Sequence, residues 1–277
     1  MKKNILYFIL SSIAIINFSA CDLFKIDNYA APDQTLYGEV VDKATGNRVL
    51  TDQDEADKMC TMIRLYELSW TGTAKPTNFD FFGKQDGTFQ NTKVFAGYYN
   101  VQLWGAFVPL LRINQKGDTI ADETWRGDIK GGTTKIKIEV EPFLNVSFVG
   151  EPTVVNGRIQ VQMKVTRGVT PEVFKQKIEP LGGYNNNFLD VIDIYLFCSE
   201  TQYVGWHFGR NYWVDEGFSG NAFETKYGFG NTITLTSTGS IPKGRVIFVR
   251  VGARIRYQTL GIARINYSDV KRVDMPN

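Results

Sequence analysis

Lys135-Ile136-Lys137-Ile138-Glu139-Val140 and Ile159-Gln160-Val161-Gln162-Met163-Lys164-Val165 decide the fold. In both stretches apolar and polar residues alternate strictly. Successive side chains of a strand point to opposite faces, so each stretch buries one face and wets the other. The same period recurs outward from them: in Leu36-Tyr37-Gly38-Glu39-Val40, in Tyr99, Val101 and Leu103 set between Asn100 and Gln102, and in Ile233 and Leu235 among threonines. Ile63-Arg64-Leu65-Tyr66, Val191 to Phe197 and Val246 to Val251 read as further strands. Thr45-Gly46-Asn47 and Asp86-Gly87 are turns, since glycine accepts positive φ without steric cost. One helix is predicted, Pro171 to Ile178, with Thr170 as its cap and Pro171 in the first helical position. Long helical periodicity is absent, and the strand pattern restarts near Glu141-Pro142. The expected fold is all-β, with two β-sandwich domains.

The N-terminus carries a different signal. Lys2 and Lys3 precede a nearly continuous apolar run from Ile5 to Phe18, and Phe18-Ser19-Ala20-Cys21 then sets small residues before a cysteine. A positive start, an apolar stretch and small residues at the cut suit a secretory leader. The cysteine makes it resemble a bacterial lipobox, with Phe18 where Leu is usual. That resemblance implies a diacylglyceryl thioether on Cys21 and an outer-membrane, lipid-anchored location, with the face left open. Residues 1–20 are therefore read as a lipoprotein signal peptide. Residues 21–35, broken by Asp22, Lys25, Asp27, Asn28, Pro32 and Asp33, are read as a tether. Cys60 and Cys198 fall in different predicted domains and are expected to be buried free thiols.

Composition narrows the partners. The 277 residues include 31 Lys and Arg against 29 Asp and Glu, and two of those lysines lie in the leader. A near-neutral chain without an arginine-rich run has no field that gathers nucleic acid or an anionic bilayer. The membrane partner is expected through the lipid on Cys21 alone.

Two motif sets carry resemblances to known families. Gly38-Glu39-Val40-Val41-Asp42, Thr45-Gly46, Asp86-Gly87-Thr88-Phe89 and Ala96-Gly97-Tyr98-Tyr99-Asn100-Val101 resemble the carboxypeptidase regulatory-like, or transthyretin-like, domain. Residues 36–141 are assigned to such a sandwich; the resemblance implies a fold and no activity. Ile233 to Val251, with Ile241-Pro242-Lys243-Gly244 and Val249-Arg250-Val251-Gly252-Ala253, resembles the last strands of a fibronectin type III domain, so residues 142–277 are assigned to a fibronectin/immunoglobulin-like sandwich. The corner position, usually Tyr in that family, is Ile247. Taken in order, the lipobox, Asn28-Tyr29-Ala30-Ala31-Pro32-Asp33, the two sandwiches and Asn266-Tyr267-Ser268 resemble a family of two-domain Bacteroidetes lipoproteins associated with starch-utilisation-type (Sus-like) loci. That likeness implies a location and a context: a glycan, or Sus-like outer-membrane proteins, as partners.

Catalytic sets are hard to assemble. A single histidine, His207, excludes multi-histidine zinc sites and leaves a triad resting on one residue. Asp52, Asp54, Glu55 and Asp57 lack the glycine and spacing of a calcium loop and are read as a solvated acidic loop. Gly182-Gly183 and Gly228-Phe229-Gly230 are turns, not phosphate cradles. Asp193, Asp215 and Glu216 are carboxylates that a glycosidase could use, at a separation the sequence does not give. The chain is expected to be no enzyme, to carry no catalytic or metal-binding residues and to need no cofactor.

The densest chemistry lies at Tyr203, Trp206, His207, Phe208, Arg210, Tyr212 and Trp213. Trp and Tyr faces pack on the C–H faces of sugar rings, while Arg, Asn211, Asp215 and Glu216 offer partners for hydroxyls. Trp206, His207, Arg210, Tyr212 and Trp213 are the candidate ligand-binding residues. The same aromatics could instead fill a core or an interdomain contact, and the exposure of Trp206 and Trp213 discriminates. A second group, Trp70, Phe79, Phe81 and Phe82, is placed in a loop of the first domain. The functional expectation is a non-catalytic accessory lipoprotein that binds glycan or scaffolds a polysaccharide-uptake system. The alternative is a fimbrial or adhesive structural subunit; such subunits usually need cleavage after an N-terminal arginine, and here the first arginine, Arg48, already lies inside the first sandwich.

Overall fold

The alternation at 133–140 is a strand pleat: Ile136, Ile138 and Val140 are buried while Lys135, Lys137 and Glu139 are exposed. The computed structural model describes residues 30–53, 59–72 and 77–277. The expected leader, the lipidated Cys21 and most of the tether lie outside the described residues. Gln34 and Thr35, assigned to the tether, are instead the start of the first strand.

Among the described residues the first half holds β1 (Gln34–Asp42), β2 (Met62–Glu67), β3 (Phe79–Phe82), β4 (Thr88–Val94), β5 (Gly97–Trp104), the hairpin β6 (Leu111–Ile113) and β7 (Thr119–Asp122), then β8 (Trp125–Ile129) and β9 (Thr133–Val140). One sheet runs β4-β1-β9, with β1 antiparallel to β4 and parallel to β9; the facing sheet runs β3-β2-β5-β8. Leu36, Val40, Ile63, Phe89, Val101, Ile136 and Ile138 form the core between them.

The motif of this half has a physical basis. Gly38 sits opposite Phe89 in the β1–β4 register, and a Cβ on Gly38 would lie 2.0 Å from the Phe89 ring. The ring occupies the place of the missing side chain, so the glycine and the phenylalanine are one packing unit. At the turns Gly46 and Gly87 have φ of 73° and 78°. Asp42 accepts from the Ala44 amide at 2.9 Å, and Asp86 accepts from the Thr88 amide at 3.0 Å, which supplies the local acceptors of Asx turns.

The second half holds β10 (Leu144–Phe148), β11 (Thr153–Val155), β12 (Arg158–Arg167), α1 (Pro171–Ile178), β13 (Val191–Ser199), β14 (Val214–Gly217), α2 (Ala222–Lys226), β15 (Thr232–Thr236), β16 (Val246–Ile255), β17 (Ile265–Tyr267) and β18 (Lys271–Asp274). In one sheet β10, β11 and β15 pair with β12; in the other β13 lies between β14 and β16, and β16 pairs with β17 and β18 along its length. The all-β fold is as expected. Helix α1 has the bounds the sequence predicts, and the Val173 amide donates to Thr170 Oγ1 at 3.3 Å. The five-residue α2 has no counterpart in the sequence pattern, because it is too short to show a period. Phe79–Phe82, expected in a loop, is edge strand β3, paired to β2.

Residues 33–277 form one unit, and the two sandwiches meet through buried polar groups. Arg250 is 1% exposed and Arg264 2%. Arg250 donates to the carbonyls of Ser268 (2.7 Å), Thr51 (2.9 Å) and Gln85 (3.4 Å). Arg264 donates to the Cys60 carbonyl at 3.3 Å, Asn266 to that of Ala106 at 2.9 Å, and the Thr259 hydroxyl to that of Gly105 at 3.0 Å. A guanidinium out of water costs several kcal/mol unless its donors are taken up, and these carbonyls take them up. Burial still pulls the Arg250 guanidinium down to about 10. Cys60 and Cys198 are both buried, as expected, and burial pushes the Cys198 thiol up to about 12.

Candidate functional site

Strand β13 explains where the aromatics gather. Its residues alternate between Ile194, Leu196 and Cys198, which enter the main core, and Tyr195 and Phe197, which enter a separate cluster on the other face. The register places Tyr195 beside Asp215 of β14 and Gly252 of β16, and Asp193 beside Arg254. Trp206, Trp213, Ile265, Tyr267 and Leu50 of the first half pack on this face.

The rings are ordered. Tyr195 stacks on Phe197 with centroids 5.1 Å apart and on Trp213 at 6.2 Å with planes 3° apart. Trp206 stands edge-on to both Tyr195 (5.8 Å) and Trp213 (6.0 Å). Arg210 lies 5.2 Å from the Trp206 centroid and Arg254 5.5 Å from it, so one indole carries two guanidiniums. Arg254 is fixed from behind by Asp193 at 2.6 Å.

The loop from 199 to 213 that supplies these groups is pinned at several points. The Trp206 amide donates to Asp52 Oδ2 at 2.7 Å, and the Tyr267 hydroxyl donates to the same oxygen at 2.9 Å. Asp52 is only 2% exposed. This corrects the reading of Asp52 as part of a solvated loop: the carboxylate is drawn into the junction by two donors. Asp54, Glu55 and Asp57 lie outside the described residues. A Cβ on Gly205 would come within 2.6 Å of Asp52, and one on Gly209 within 2.5 Å of the Gly205 carbonyl, so the loop's close approach needs both glycines. The Cys198 amide donates to the Gly209 carbonyl at 3.0 Å, tying the loop's far side to β13.

Of the five candidate residues, Trp206, Arg210 and Trp213 come together. The two indoles are half-buried and perpendicular, so they do not form a flat exposed platform. Tyr212, at φ 59°, a conformation rare for a bulky side chain, packs instead against the main core. With Arg210, Ser199 and Glu200 it lines a separate groove of about 470 Å³. His207 is exposed and meets Phe208 edge-on at 4.6 Å. Beside them stand the loop's outward aromatics: Tyr203 is 49% exposed and Phe208 50%.

Of the three carboxylates, Glu216 leaves the other two. Glu216 turns toward α2, accepting from Lys226 at 2.5 Å and from the Tyr227 hydroxyl at 2.9 Å. Asp193 and Asp215 share the face of Tyr195, and burial, followed by the Asp193 charge, raises the Asp215 carboxyl. Tyr195, Phe197 and Arg254 are not among the sequence candidates, while Asp193 enters there only as a glycosidase carboxylate and Asp52 only as part of an acidic loop. The signal available was the period in Asp193-Ile194-Tyr195-Leu196-Phe197, whose odd positions share a face.

The fold and this site define a class: an all-β protein of stacked sandwiches that presents an aromatic loop held rigidly at their junction. The chain belongs to the DUF3823 family. It is 45% identical to a DUF3823 family protein from Bacteroides uniformis, over 88% of this chain and all of that one, with a TM-score of 0.83. Two more distant structures share the fold over 88% of this chain and 100% of theirs. One, from Bacteroides uniformis and named for a proposed carbohydrate-binding role, is 18% identical with a TM-score of 0.61. The other, a DUF3823 family protein from Parabacteroides merdae, is 19% identical with a TM-score of 0.58. No protein-family model matches the chain, and none of the curated proteins does.

Proposed function

We propose that this chain is a non-catalytic glycan-binding lipoprotein of the outer membrane, held by a lipid on Cys21, and that it serves a Sus-like polysaccharide-uptake system. One observation carries the glycan reading: Tyr203 and Phe208 stand half exposed on a loop whose backbone is locked to Asp52 at Trp206 and to β13 at Gly209. Exposed aromatic faces on a rigid support lose little entropy on binding, which suits weakly polar sugar faces. His207 and Arg210 lie on the same loop and supply hydrogen-bond donors for hydroxyls. The name of the Bacteroides uniformis structure points the same way. A contact role is also favoured by Asp193, whose carboxylate is engaged by Arg254.

Affinity electrophoresis of the purified protein through gels containing neutral plant and bacterial polysaccharides tests this. The protein is expected to be retarded by at least one polysaccharide, and the Tyr203→Ala/Phe208→Ala double variant to migrate freely while melting as the parent does. Free migration of the parent in every gel, or release of reducing ends from a retained glycan, would overturn the reading. The anchor is tested separately: labelled palmitate should enter the parent and not Cys21→Ala.

A further inference from the structure

We infer that the sugar-contact loop continues into a second subsite, a groove of about 730 Å³ between the two sandwiches, and that this groove takes a short neutral oligosaccharide. This rests on the glycan reading above and extends it from one loop to a bridge across both halves of the molecule.

The groove begins at Tyr203, the exposed ring at the start of the loop, and runs past Phe248 of β16 to Gln53 and Lys84 of the first half. Its volume falls within the range of small-molecule sites, roughly 300–1,000 Å³, and exceeds what a single sugar would fill. Its walls are fixed before anything binds. Arg250 at its base donates to the carbonyls of Thr51 and Gln85, and the Gln85 side chain donates across the junction to the Val204 carbonyl at 2.9 Å. The loop residue next to Tyr203 is thereby tied to the opposite wall.

Its chemistry is that of hydroxyl recognition. Tyr203 and Phe248 offer ring faces for C–H packing. Among the described residues, the side-chain amides of Gln53 and Gln202 make no hydrogen bond within the protein, and each can donate and accept at once, as vicinal hydroxyls demand. Lining charges come in both signs. Lys84 is balanced by Asp86 and Asp269 in the lining, and Arg272 is already paired with Asp274 at 2.8 Å. A groove of mixed sign with neutral amides selects against a polyanion and fits an uncharged chain.

Calorimetric titration of the purified protein with neutral gluco-, xylo- and manno-oligosaccharides, from mono- to hexasaccharide, tests the subsite, with oligogalacturonides as the charged comparison. Affinity should rise from mono- to trisaccharide and then level. Gln53→Ala, Gln202→Ala and Lys84→Ala should each weaken trisaccharide binding about 3- to 10-fold, the worth of one hydrogen bond, while leaving the monosaccharide unchanged. Unchanged trisaccharide affinity in all three variants, with binding still lost in Phe208→Ala, would overturn the groove and leave the loop reading standing. No binding of any oligosaccharide by the parent overturns both. Tighter binding of oligogalacturonides than of the neutral series would overturn the assignment to an uncharged chain.

Discussion

Two pairs of arginines set the junction and the aromatic loop apart. At the junction Arg250 and Arg264 are sealed from solvent, and each donates to a backbone carbonyl across the sandwich boundary. Arg210 on the loop and Arg254 of β16 rest on the ring of Trp206; Arg254 is paired with Asp193, and Arg210 remains exposed. The same side chain thus does opposite work. Sealed from solvent, it fastens one half of the molecule to the other. Laid on an aromatic ring at the surface, as Arg210 is, it turns its donors toward solvent. Asp52 joins the two regions, because it receives both the Trp206 amide and the Tyr267 hydroxyl.

The contrast predicts a descending series of effects. Arg250→Ala takes the guanidinium donor from the buried carbonyls of Thr51 and Ser268 and should cost about 3 kcal/mol or more. Urea denaturation would read it, with both sandwiches unfolding at lower denaturant together; a change below about 1 kcal/mol would show that water replaces the guanidinium and that the junction is no clamp. Gly205→Ala pushes a methyl group against Asp52 and should cost about 1–3 kcal/mol, with a red-shifted Trp emission as the loop lifts from β13. An unshifted spectrum would separate loop from junction. Arg210→Ala should change stability by less than about 1 kcal/mol, the scale of an exposed cation–π contact, while weakening polysaccharide retention. Equal losses in Arg210→Ala and Arg250→Ala would erase the distinction.

The smallest effect is a pH effect. Burial, and then the neighbouring Asp193, raise the Asp215 carboxyl above its ordinary value. The folded protein therefore holds that proton more tightly than the unfolded chain does. The associated stability is complete below the unfolded value of about 4 and fades as the pH climbs through the raised value. Asp215→Asn should accordingly melt slightly above the parent at neutral pH and match it below about pH 4. Thermal melts across that range would show it; a variant that melts lower at neutral pH would mean the carboxylate is stabilised where it stands.

Strands with one wet and one dry face were legible because their period is local. Ile136 to Val140, Ile159 to Val165 and the capped helix at Thr170 each announce themselves within a few residues. Phe79-Asp80-Phe81-Phe82 did not, since an edge strand with apolar groups on both faces breaks the alternation. Asp52 misled because its neighbours are acidic, and only the fold brings Trp206 and Tyr267 to it from more than a hundred and fifty residues away. Arg254 and Tyr195 escaped notice for the same reason: their meeting depends on the register of β13 and β16. The aromatic loop was found by density alone, and density could not tell which rings would turn inward.

Strand β1 is the first element of the described fold, yet it occupies the centre of its sheet, with β4 on one side and β9 on the other. Its parallel partner begins at Thr133, and the Gly132 amide donates to Gln34 across 98 residues. A chain synthesised from its N-terminus must therefore hold β1 with one open edge until nearly the whole first half has emerged. Closure by so distant a partner is entropically slow. The assembly step that completes this sheet is thus set by the arrival of residues 133–140, and substitutions in β9 should slow refolding more than equally destabilising ones in the local β6–β7 hairpin.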